Sequence, residues 1–147
     1  MRACAWLTVF VAISLGCSNT PSTPQKRVTL RRVGGTSFEL IPNPETLPYC
    51  LAYTVSKRGL TRQLTMSKKN LSFECKHGRP IGGISYRVPL DEGPVKIHVV
   101  LTSQQVNAAA VTQDILDAEN RLALSVMNMR LPGVAAVGTI DFDPSQD

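Results

Sequence analysis

The stretch Val95-Lys96-Ile97-His98-Val99-Val100-Leu101-Thr102 decides how the rest of the chain is read. Val95, Ile97, Val99 and Leu101 recur every second residue, which puts all four on one face of an extended strand. Lys96, His98, Val100 and Thr102 share the opposite face, where His98 is expected to be an exposed strand histidine.

The same period of two runs back from this strand towards Arg27. Val28 and Leu30 alternate with Arg27, Thr29 and Arg31, and Gly34-Gly35 offers a hairpin into Thr36–Ile41. Pro42, Pro44 and Pro48 break the pattern, after which Tyr49, Leu51, Tyr53 and Val55 line one face of a third strand. Lys57-Arg58-Gly59 turns the chain. Leu60, Leu64 and Met66 then oppose Thr61, Gln63, Thr65 and Ser67. Leu71, Phe73 and Cys75 follow, then Ile84, Tyr86 and Val88, then the turn Asp91-Glu92-Gly93-Pro94. Short strands at roughly ten-residue spacing predict an antiparallel β-sandwich or barrel-like domain.

The period changes beyond Thr102. Between Asp114 and Arg130, Ile115, Ala118, Leu122, Ala123, Val126, Met127 and Met129 gather on one side at helical spacing. Asp114, Asp117 and Arg130 complement the dipole of such a helix, and Pro132-Gly133 stops it. Val134 to Phe142 reads as a last strand. The prediction is a mostly-β α+β domain of seven or eight strands, with one amphipathic helix over about 114–130 before the last strand.

The chain has 147 residues, of which 43% are hydrophobic and 18% charged, as in one ordinary globular domain. Its net charge of +5 is unevenly placed, at +8 from Lys26 to Lys96 and −4 from Ile97 onward. A basic front attracts anionic partners. Lys57, Arg58, Arg62, Lys68, Lys69, Lys76 and Arg79 have few aromatics between them, so no nucleic-acid partner is expected.

The first residues carry an address. Arg2 and the amino terminus precede an apolar run from Ala5 to Leu15, and Gly16-Cys17 follows. A positive start, a short apolar stretch and small residues at the cut describe a secretory signal peptide. Ser14-Leu15-Gly16-Cys17 resembles the lipobox of bacterial membrane-anchored lipoproteins, matching it at Gly16 and Cys17 with the two preceding residues in swapped order. The resemblance covers only this leader and implies that Cys17 becomes the lipidated first residue of the mature protein. Ser18 to Gln25 holds two prolines and no large apolar residue, and it reads as a solvated tether. The expected division is therefore a signal peptide over 1–16, a lipidated cysteine and tether over 17–26, and one β-rich domain over 27–147.

Past Cys4 and Cys17, Cys50 and Cys75 remain, and an exported location favours a disulfide between them. The alternative is a metal site using Cys50, Cys75, His77 and His98. Its spacing matches no usual zinc pattern, so no metal is expected. Lys76, His77 and Arg79 form a basic loop that could bind an anion. Asp141 and Asp143 fall on one side of the last strand with a spacing that could share a cation, and Glu119 falls inside the apolar stripe of the helix. No Gly-x-Ser-x-Gly elbow, Ser-x-x-Lys pair or phosphate-cradling glycine loop is present, so no catalytic residue and no cofactor is assigned.

The sequence leads to a cell-envelope lipoprotein, lipid-anchored and expected at the outer membrane, or secreted or periplasmic without the lipid. It would be a non-enzymatic binding or structural module, with the membrane and another envelope protein or an anionic glycan as partners. Two alternatives stand beside it: a small exported hydrolase-like enzyme using His98, His77 or Glu119, and a charge-driven binder of anionic glycan or lipid.

Overall fold

In a computed structural model of the protein, the structure describes residues 27–119 and 130–146. Among the described residues, eight strands form two antiparallel sheets. The smaller joins β1 (Val28–Gly34), β2 (Ser37–Pro42) and β6 (Tyr86–Arg87) in the order β1-β2-β6. The larger is built on β3 (Tyr49–Ser56) and β7 (Val95–Thr102), which pair along their whole length from Tyr49↔Thr102 to Ser56↔Val95. β8 (Ala135–Phe142) lies on the far side of β7. β4 (Thr61–Gln63) and β5 (Phe73–Glu74) follow one another along the free edge of β3. The helix α1 (Ala108–Glu119) precedes β8. The mostly-β α+β reading holds, as an open sandwich and not a closed barrel.

Burial explains the arrangement. Every second residue of β7 from Val95 to Leu101 faces the small sheet, where Val28, Phe38, Leu40, Cys50, Ala52, Tyr86, Val88 and Phe142 close the main core. Phe38 sits at its centre, with ring centroids 4.7 Å from Phe142 and 6.0 Å from Tyr86. The other face of the large sheet is also covered, because Leu51, Tyr53, Val55 and Val100 meet Ala108, Val111 and Ile115 of α1. β3 and β7 are therefore buried on both faces, and the domain has three layers: sheet, sheet, helix.

The helix starts earlier than its predicted bound of Asp114. Ala109 donates its N–H to the Asn107 side-chain oxygen at 2.8 Å, an N-cap that opens the helix at Ala108. Ala108, Val111 and Ile115 lie at i, i+3 and i+7, so the apolar stripe extends back over the alanine run. Asp114 is then a mid-helix residue, and its carboxylate accepts the Arg130 backbone N–H at 3.1 Å. The predicted continuation over 120–129 lies outside the described residues.

Two neighbouring residues just beyond β4 also differ from their predicted polarity. Met66, predicted to share an apolar face with Leu60 and Leu64, is 77% exposed, while the neighbouring Thr65 is fully buried. The cause is a gap in the ladder. Between the segments that pair with β4 and β5, the Ala52 N–H has no strand partner, and the Thr65 hydroxyl accepts it at 3.0 Å. A buried N–H without an acceptor costs about 1–3 kcal/mol, which is why a threonine goes in and a methionine stays out.

Candidate functional site

The sandwich has two distinct ends. At the first, Asn43 donates to the carbonyl of Arg27, Gly78 donates to the carbonyl of Pro42, and both bonds are 3.0 Å. Cys50, at the start of β3, is bridged to Cys75 with a Cα–Cα separation of 5.9 Å, inside the usual disulfide range. This places the start of β1, the end of β2 and the loop after Cys75 together. At the second end, Arg32 donates to the carbonyl of Asp143 at 2.7 Å and its guanidinium lies 4.4 Å from the centroid of Phe142. Strand rise sets the two ends roughly 20 Å apart.

The predicted disulfide is present. With both thiols joined to each other, the alternative of a metal held by Cys50, Cys75, His77 and His98 loses two of its four ligands. Lys76, His77 and Arg79, expected to form a basic loop, lie together in the turn after Cys75 at the first end. Lys76, His77 and Arg79 are all exposed. Arg79 donates its N–H to the Lys76 carbonyl at 3.3 Å, and Gly78 takes φ +70, so the loop is a tight turn.

His98 is not the exposed histidine its alternation predicts. It is 3% exposed, because the face it shares with Val100 is the one covered by the helix layer. Its Nδ1 lies 3.0 Å from the Thr139 hydroxyl, directly across the β7–β8 pair. On its other side in the same row stands Tyr53, whose hydroxyl donates to the Ala108 carbonyl at 3.0 Å. Burial raises the Tyr53 phenol above its ordinary value, and the adjoining Thr112 hydroxyl opposes that in part. The row runs from the buried Tyr53 and His98 out to the exposed Thr139 and ties β3, β7 and β8 to the helix.

At the second end there is a cleft of about 790 Å³. Arg32, Lys57, Lys96, Leu116, Asp141 and Gln146 are among its walls, drawn from β1, the β3–β4 turn, β7, α1 and the end of β8. Its volume falls within the range of small-molecule and peptide sites. Lys96 and Asp141, both exposed and both lining the cleft, form an ion pair at 3.2 Å. Sequence reading missed this site, because its residues are scattered over the whole chain and converge only when both sheets and the helix assemble.

The last-strand carboxylates do not converge on a shared cation. Asp141 is paired with Lys96, whereas Asp143 accepts the Ser145 hydroxyl at 2.6 Å, the Ser145 N–H at 2.9 Å and the Gln146 amide at 3.1 Å. Those Ser145 bonds hold the Asp143 carboxyl below its usual range. The Glu119 side chain, Cys17 and the tether lie outside the described residues. Neither His77 nor His98 is among the described residues that line the cleft. The basic front does not gather on one face. Lys57 and Arg58 stand at the cleft end, Lys76 and Arg79 at the other, and Arg31 and Arg62 are paired with Glu39 and Glu92. Compared with known proteins, the chain matches no family model, no curated protein and no solved structure.

Proposed function

We propose that this chain is an exported, lipid-tethered module of a bacterial cell envelope that works by binding and not by catalysis. The carrying observation is the junction of two features: a leader ending in Gly16-Cys17 with a polar spacer behind it, and a domain stapled by Cys50–Cys75. A structural disulfide persists outside the reducing cytoplasm, so the two features call for the same compartment. The rigid three-layer scaffold supports the binding half of this reading. Its cleft joins cations, carboxylates and an apolar wall at the end remote from Arg27, with Lys96 paired to Asp141.

The test is the mature amino terminus. Mass spectrometry is expected to find an acylated Cys17 as the first residue, and a Cys17→Ser variant is expected to leave the membrane fraction. An unmodified amino terminus, or unchanged membrane partition of the variant, removes the tether from this reading.

A further inference from the structure

Resting on the tether reading above, we infer that the end of the domain formed by Arg27, Lys76, His77 and Arg79 is a docking surface for anionic phospholipid headgroups, which fixes how the domain stands on its membrane. The chain enters the fold at Arg27, held there by the Asn43 N–H on its carbonyl at 3.0 Å. The basic loop lies at the same end, held by the Gly78 N–H on the Pro42 carbonyl and by the disulfide at Cys75. The ten residue steps from Cys17 to Arg27 span at most about 35 Å fully extended, and they join the fold at this end, so it is the end closest along the chain to whatever holds Cys17.

Among the described residues, the cations at this end are in no ion pair. Arg31, Arg62 and Lys96 are each spent on a carboxylate, and Arg32 lies on Phe142. No ion pair among the described residues holds Arg27, Lys76, His77 or Arg79, and all four are exposed. Glu45 and Glu74 are exposed in the same region and reduce the local charge without cancelling it. The loop is a pinned turn, so little ordering is needed for its side chains to meet a flat charged surface. Attraction to anionic lipid is short-ranged, falling off within roughly 10 Å, and a tether of this length lets the end come within that range. The opposite end, with Lys57, Arg58 and the cleft, then points away from the bilayer.

Amine-reactive footprinting of the full chain on vesicles tests this, with Lys76 and Lys57 as reporters at the two ends. On phosphatidylcholine vesicles containing phosphatidylglycerol, Lys76 is expected to label at least about fivefold more slowly than on phosphatidylcholine alone, since one cation near an anionic surface is worth roughly that factor. Lys57 is expected to label equally on both. Arg27→Glu with Arg79→Glu is expected to abolish the Lys76 protection, while Lys57→Glu with Arg58→Glu, an equal charge change at the far end, leaves it intact. Equal labelling of Lys76 on both vesicles overturns the proposal, as does an equal response to the two double variants. Protection of Lys76 by a soluble acidic glycan with none from vesicles overturns it too. Failure here is separate from failure of the tether. An acylated Cys17 with unprotected Lys76 removes the docking alone, and protected Lys76 on a chain without acylation removes the tether alone.

Discussion

The two faces of the large sheet are both buried and are built by different rules. The face towards the small sheet is apolar almost throughout, with Cys50, Ala52, Val95, Ile97, Val99 and Leu101 meeting Phe38, Leu40 and Val88. The face towards α1 mixes Leu51, Val55 and Val100 with Tyr53, His98 and Thr102. Its polar groups are tolerated because specific atoms answer them: Ala108 carbonyl for Tyr53, Thr139 for His98, Gln104 carbonyl for the Thr102 hydroxyl at 2.7 Å. One face is held by shape, the other by shape together with hydrogen bonds. A buried face need not look apolar in sequence, provided that partners reach its polar atoms.

The comparison is most exposed to removal of the residue at the centre of the apolar face. Phe38→Ala is expected to cost about 4 kcal/mol, because the ring fills the space between Tyr86 and Phe142 and the surrounding strands cannot collapse onto it. Urea unfolding followed by circular dichroism measures this. A loss below about 1 kcal/mol would mean that the contact between the sheets is not the main core.

A smaller effect comes from pH. Burial pushes the Tyr86 phenol up to about 12 from its ordinary 10.0. Its folded value is raised above the unfolded one, so the contribution is fully present below pH ~10 and is lost as pH rises towards ~12. The loss is on the order of 2 kcal/mol in that window. Stability measured from pH 9 to 12 is expected to fall more steeply in the wild type than in Tyr86→Phe. Parallel curves would show that the phenol is hydrated in the folded protein.

The least effect is expected on the helix face. Tyr53→Phe removes one donor, yet the Ala108 carbonyl keeps the Thr112 hydroxyl at 2.9 Å, so no acceptor is orphaned. The cost is about 1 kcal/mol. Hydrogen exchange of the α1 amides is expected to quicken while the amides of β2 are unaffected. Equal changes in both would show that the two faces unfold as one unit and do not differ in kind.

Much of the fold was legible from alternation. The β1–β2 hairpin at Gly34-Gly35, the β3 and β7 strands and the last strand sit where periodicity and turn residues put them, and a helix precedes that last strand as expected. The helix start was misplaced because alanines carry little hydrophobic signal, and Asn107 was not read as their cap. The disulfide was legible because only two cysteines lie in the domain. The cleft was not, since Arg32, Lys57, Lys96, Leu116 and Asp141 share no spacing along the chain.

The sequence by itself determined that one face of each main strand is apolar, that a helix precedes the last strand, and which two cysteines can meet. Those properties belong to neighbours in the chain. Tertiary structure alone decided that α1 covers the second face of the large sheet, turning His98 from a surface residue into a buried one, and which cations share an end of the sandwich. Alternation states that the two faces of a strand differ, but only the layer that arrives from elsewhere in the chain determines whether the more polar face meets water or protein.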